Sequence, residues 1–222
     1  MLPLTNKKLL ELALTHRSYL NENRSVKEHN ERLEYLGDAV LELAVSRFLF
    51  DKFPNKPEGE LTALRSALVR TTTLAMVAES LELGKKLRLS KGEAASGGRE
   101  NQALLANTFE AVVGAIYLDS GFDKVVEFLG QKLFPQIDKI IENELYKDFK
   151  STLQEKVQAN GDSTPEYKVI GEVGPDHDKE FTIEVYVGKK RLAQGKGKSK
   201  QEAQQHAAQA TLTKLNGATL EK

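Results

Sequence analysis

The spacing of hydrophobic residues changes once along the chain, and that change limits what the chain can fold into. From the start to about residue 145, apolar residues recur every three or four positions, as in helices that each bury one stripe. Leu9, Leu10, Leu12, Ala13 and Leu14 open the first stripe. Leu33, Leu36, Val40, Leu41 and Leu43 continue at helical spacing through Ala44 and Phe48. Two further apolar-periodic segments, 60–81 and 104–118, flank the connection Ser96-Gly97-Gly98-Arg99. A last amphipathic stretch over 125–145 is interrupted by Pro135. No segment alternates at period two, so this half is expected to be all-α.

After Lys147 the period shortens. A helix is expected over 151–157, ended by Asn160-Gly161-Asp162-Ser163, and three alternating segments follow at 167–170, 181–187 and 191–195. Ser199 is placed to cap a final helix over 200–215, with Ala203, Ala207, Ala210, Leu212 and Leu215 inward. The order α-β-β-β-α within roughly 70 residues makes a small α+β domain. The expected division is 1–147 and 148–218, with a short linker at Tyr146-Lys147-Asp148.

With no cysteine among 222 residues, disulfide scaffolds, thiolate metal sites and cysteine nucleophiles are excluded. No apolar run approaches the ~20 residues of a membrane span. The N-terminus lacks the charged-then-apolar order of a secretion signal, so a cytoplasmic protein is expected. Thirty-two Lys and Arg balance thirty-two Asp and Glu, yet the charges are not evenly mixed. The run KKRLAQGKGKSK from Lys189 to Lys200 holds six basic residues and no acid, whereas acids gather between Glu28 and Asp38. A cancelled total that hides a basic stripe and an acidic cluster suggests two separate jobs.

Glu31, Glu34 and Asp38 are spaced by three and four positions, which brings three carboxylates to one face of a helix. Like charges stacked this way repel, and a hard cation such as Mg²⁺, which takes oxygen ligands, turns that repulsion into attraction. The plainer alternative is a solvated face with Arg32 as counter-ion. A second acid, Glu110, lies three positions after Asn107 in an apolar helix containing Leu104, Leu105, Ala106, Phe109, Ala111 and Val112. A carboxylate in such surroundings neutralises itself or finds a cation. If the two helices face each other, Glu34, Asp38, Asn107 and Glu110 offer four oxygen donors to one site. Alternatively, Glu110 pairs with Arg17, Arg65 or Arg70.

The segment Asn30-Glu31-Arg32-Leu33-Glu34-Tyr35-Leu36-Gly37-Asp38-Ala39-Val40-Leu41 resembles the signature helix of bacterial ribonuclease III. Four further stretches agree in the family's order: Ala13 to Tyr19, Glu58 to Thr62, Leu68 to Arg70, and Phe109 through Asp119. The resemblance implies an all-helical homodimeric catalytic domain in which divalent metal, Mg²⁺ or in its place Mn²⁺, activates water to cleave RNA phosphodiesters. By that resemblance Glu34, Asp38, Asn107 and Glu110 are metal ligands, and Asp38 and Glu110 carry the main catalytic roles. Glu31 and Glu58 match acidic positions that assist substrate or product handling. The family usually has Asp where this chain has Asn107. The site then holds −3 rather than −4, which implies weaker metal affinity or, as the alternative, an impaired protein that only binds RNA.

The segments 174–181, 195–200 and 203–208 resemble the double-stranded-RNA-binding domain, whose α-β-β-β-α order is the one read above from periodicity. Such domains span successive minor grooves and read A-form shape. The resemblance places Ser151, Gln154 and Glu155 in one minor groove and His177 in the next, with Lys196, Lys198, Lys200 and Gln204 on phosphates. The expected products are 5′-phosphate and 3′-hydroxyl ends with short 3′ overhangs, from ribosomal-precursor and other transcripts.

Overall fold

The computed structural model describes residues 2–175 and 179–217. The chain divides into two compact units, Met1–Tyr146 and Lys147–Lys222.

The first unit is helical, as its period implies. Its helices are α1 (Lys7–Ala13), α2 (Glu31–Lys52), α3 (Glu58–Val69), α4 (Thr71–Ser80), α5 (Leu83–Lys86), α6 (Lys91–Ala95), α7 (Gln102–Ser120), α8 (Phe122–Lys132) and α9 (Gln136–Glu142). The core runs along α7, where Phe109, Val112, Val113 and Ile116 are fully buried, and onto Leu41, Val45 and Leu49 of α2. Asn101 starts α7 by accepting the N–H groups of Ala103 and Leu104 at 2.9 and 3.2 Å, which satisfies two of the helix's free donors. Asn30, just before α2, is buried. Its N–H donates to Thr15 O at 2.9 Å and its side-chain amide to Ala13 O at 3.3 Å.

Two glycines let α2 and α7 cross backbone to backbone. A Cβ on Gly37 would come within 1.8 Å of the Glu110 carbonyl oxygen, and one on Gly114 within 2.3 Å of the Leu33 carbonyl oxygen. No other residue type fits such an approach.

The structure corrects the sequence-based expectation in three places. The segment 60–81 is two helices, because Arg70 adopts an extended conformation (φ −63°, ψ 148°) and serves as the end of α3 and the start of α4. The stretch 125–145 begins earlier, at Phe122, and separates into α8 and α9 before Gln136, just after Pro135. Leu43, expected in the apolar stripe, is 60% exposed. Among the described residues no helix is long and apolar enough to cross a membrane.

The second unit has α10 (Phe149–Ala159), then β1 (Glu166–Val173), β2 (Glu180–Val187), β3 (Lys190–Gly197) and α11 (Lys200–Gly217). The strands form one antiparallel sheet in the order β1-β2-β3. Leu153 and Val157 of α10, Val185 and Ala193 of the sheet, and Ala207, Ala208 and Leu212 of α11 form its core. The three strands are longer than their alternating segments. Backbone pairing carries β1 and β3 beyond the residues whose side chains reveal them.

Candidate catalytic and RNA-binding sites

The α2–α7 crossing sets the position of the acidic side chains. Glu31, Glu34 and Asp38 lie on successive turns of α2. Glu34 is half-buried and Asp38 exposed, while Asn107 and Glu110 are half-buried on one face of α7. Burial, followed by repulsion from Asp38 and Glu34, pushes the Glu110 carboxyl up to about 7. Burial also raises Glu34, with Glu31 and Asp38 adding to it. These shifts follow from Glu34, Asp38 and Glu110 sharing one electrostatic neighbourhood.

The arginines named as alternative partners of Glu110 are engaged elsewhere. Arg17 lies 3.6 Å from Glu31, Arg65 pairs with Glu42 at 2.9 Å, and Arg70 donates to Thr73 and to the Leu145 carbonyl. Arg32 remains exposed on α2. Glu58 lies in the exposed first turn of α3, where its carboxylate accepts the Thr62 hydroxyl at 3.1 Å.

The donor set is all oxygen, from three carboxylates and one amide, which suits a hard divalent cation. The carboxylates are not drawn up around a point: among the described residues, no three His, Asp or Glu side chains are disposed to hold an ion as they stand. Repulsion among acids on the facing helices makes a cation favourable there.

Sequence reasoning missed the surroundings of Glu31. Besides Arg17, His29 approaches it, with Nδ1 at 3.8 Å from Glu31 Oε2, buried and without a hydrogen-bond partner. Neighbouring His16 accepts the Ser18 N–H at Nδ1, and burial lowers its pKa. The stretch Thr15-His16-Arg17-Ser18 borders on the α2 start, and only a fold that brings residues 15–18 beside 29–31 reveals it.

In the second unit, Ser199 caps α11 by accepting the Glu202 N–H at 3.1 Å, and Glu202 accepts the Lys198 N–H at 2.6 Å. Ser151, Gln154 and Glu155 are exposed on α10. Ser151 donates its hydroxyl to Asp148, and Gln204 accepts from Lys150 at 2.6 Å. A polar cleft of about 300 Å³ between α10 and α11 is lined by Ser151 and Gln154 from one helix and Gln201 and Gln205 from the other. The two glutamines of α11 were not among the expected contacts, because only the packing of the helices puts them beside Gln154. His177 lies outside the described residues.

An all-helical unit with acids on two crossing helices, joined in one chain to an α-β-β-β-α domain with lysines at a helix start, has the architecture of endonucleases for double-stranded RNA. Residues 6–137 match the ribonuclease-III-like family and residues 149–215 the double-stranded RNA binding motif. The chain belongs to the ribonuclease III family. It is 53% identical to ribonuclease 3 of Geobacillus sp. (strain WCH70), over 95% of this chain and 86% of that protein. Two solved structures of the nuclease domain of ribonuclease III from Campylobacter jejuni are similar, each with a TM-score of 0.54. One is 41% identical over 61% of this chain and 86% of its own; the other, which concerns flexibility in a region involved in dimer formation, is 43% identical over 59% and 90%.

Proposed function

We propose that the chain cleaves both strands of double-stranded RNA with Mg²⁺, for which Mn²⁺ substitutes, held by Glu34, Asp38, Asn107 and Glu110. The observation that carries this reading is the backbone contact of Gly37 with Glu110, which sets Glu34 and Asp38 of α2 beside the half-buried Glu110 of α7. Acids so placed repel one another, and a bound cation offsets that repulsion. A divalent ion held there by Glu34, Asp38, Asn107 and Glu110 would supply water of lowered pKa and offset charge on the phosphate. Asp38 and Glu110 orient oxygens toward the reacting phosphate from either helix, and the Asn107 amide adds a neutral oxygen. Glu31, with Arg17 beside it, and Glu58 handle the strand before and after cleavage.

In this reading Ser151, Gln154, Glu155 and His177 meet the minor grooves while Lys196, Lys198, Lys200 and Gln204 hold phosphates. Two sites are needed to cut two strands, and a two-fold homodimer supplies them. Tyr35, Leu43 and Phe50 are 83%, 60% and 70% exposed on α2, and with Ala39 they fall within an arc of about 80°, which gives a dimer an apolar face to cover. Val40, which follows Ala39 in the chain, faces the other way and is buried in the core. The products are 5′-phosphate and 3′-hydroxyl ends with short 3′ overhangs, made in the bacterial cytoplasm from ribosomal precursors and other transcripts.

The test is incubation with long duplex RNA and Mg²⁺ beside an Asp38→Asn/Glu110→Gln control. Cleavage with those ends, lost in the control, is expected. Duplex binding without cleavage at any Mg²⁺ or Mn²⁺ concentration would overturn the reading.

A further inference from the structure

The lysines expected on phosphate already have carboxylates of their own domain beside them. Lys196 Nζ lies 3.0 Å from Glu180 Oε1, and Lys200 Nζ lies 3.7 Å from Glu172 Oε1. Glu172 also has Lys179 at 3.7 Å from its other oxygen. Sheet register, and not chance side-chain reach, puts these acids there. Glu172 pairs across β1–β2 with Phe181, and Phe181 pairs across β2–β3 with Gly197, three residues before Lys200. The Lys200 ammonium lies 5.6 Å from the centre of the Phe181 ring. Glu180 begins β2, one residue before that row, and Lys196, paired with Thr182, precedes Gly197 at the end of β3, so the two lie diagonally across the β2–β3 pair. Both acids and both lysines remain between 39% and 62% exposed, so a phosphate can reach them.

We propose that Glu172 and Glu180 act as internal competitors for RNA phosphate. Each neutralises a phosphate-gripping lysine in the free protein, and each is left unpaired or displaced when RNA arrives. Binding therefore exchanges one anion for another, and the domain's grip is set below what its lysines alone would give. This inference rests on the reading of the second unit as the holder of duplex RNA. An exposed ion pair is weak enough to open on contact, yet a bare carboxylate beside a bound phosphate repels it.

The test uses the full chain with a chelator present, so that binding to a short RNA duplex is read without cleavage. Glu172→Gln/Glu180→Gln is expected to bind about three- to tenfold more tightly, because each exposed pair contributes only a few-fold. Its affinity should also fall more steeply with salt, because freed lysines release more counterions. Glu166→Gln, which removes a sheet acid paired to Lys168 instead, is expected to change little. The deciding comparison is Glu180→Gln in a Lys196→Gln background, where the gain should vanish. A gain that persists there, or one matched by Glu166→Gln, reduces the effect to general repulsion and overturns the proposal. So does unchanged affinity in the double variant. A parent chain that fails to bind the duplex overturns the RNA-holding reading itself.

Discussion

Gly37 and the carbonyl of Glu110 are in such close contact that a single added carbon would lie 1.8 Å from the oxygen. The backbone of one acid-bearing helix thus rests directly on the residue that carries the acid of the other. Gly37→Ala should force the helices apart, a form of overpacking that costs roughly 1–3 kcal/mol. A lower midpoint in urea unfolding and a loss of cleavage larger than the stability loss accounts for are expected. An unchanged midpoint would show that the crossing is looser than described.

Glu110 sets a pH dependence. Its carboxyl is raised from 4.5 to about 7 by burial and by its two acidic neighbours. Below about 4.5 both the folded and unfolded forms carry the proton. Between there and about 7 the unfolded chain loses it first, so the cation-free protein becomes less stable as pH rises through that window. Chelated protein should show this loss in thermal unfolding, and Glu110→Gln should reduce it. Protons compete with the cation at the same oxygens, so the Mg²⁺ concentration for half-maximal cleavage should rise as pH falls below about 7.

In the proposed metal site, Asn107 is the one member that offers an oxygen without charge. Replacing it with Asp takes the site from −3 to −4 and should lower the Mg²⁺ concentration needed for half-maximal cleavage. A titration that shows no change would mean residue 107 is not a ligand.

At the far end of α7, Asp119 accepts the N–H groups of Thr5 and Asn6 at 2.9 and 3.2 Å and the Thr5 hydroxyl at 3.1 Å. The Thr5 backbone N–H, ahead of smaller contributions, holds its pKa below the ordinary carboxylate range. The sign is opposite to that of Glu110. This stabilisation is full above the ordinary carboxylate pKa and fades as pH falls through the lowered value. Hydrogen exchange over residues 5–10 should quicken in that acid range, and Asp119→Asn should quicken it already at neutral pH.

Much of this arrangement was legible beforehand, for identifiable reasons. The three-and-four spacing of Glu31, Glu34 and Asp38 is fixed by helical geometry, so their common face needed no tertiary information. The β2 segment announced itself because its alternation reports one buried face, with Ile183 and Val185 inward. Arg70 was not legible: a break between α3 and α4 without Gly or Pro leaves no local mark, and apolar spacing runs on through it. His29 beside Glu31 depends on how the loop before α2 returns over residues 15–18. Leu43 reads as core because periodicity reports an apolar face without saying what covers it. Glu172 and Glu180 were hidden for a similar reason: register across three strands, and not proximity in the chain, sets them against the lysines.

Asn30, anchored to the carbonyls of Ala13 and Thr15, fixes the angle at which α2 begins. A helix entered one residue out of phase would turn every side chain by about 100° about the axis. Glu31, Glu34 and Asp38 would then swing away from α7 together, with no change in their own spacing. The azimuth of the whole acidic row is thus dialled in by an uncharged side chain whose own hydrogen bond runs to Ala13 and to no carboxylate.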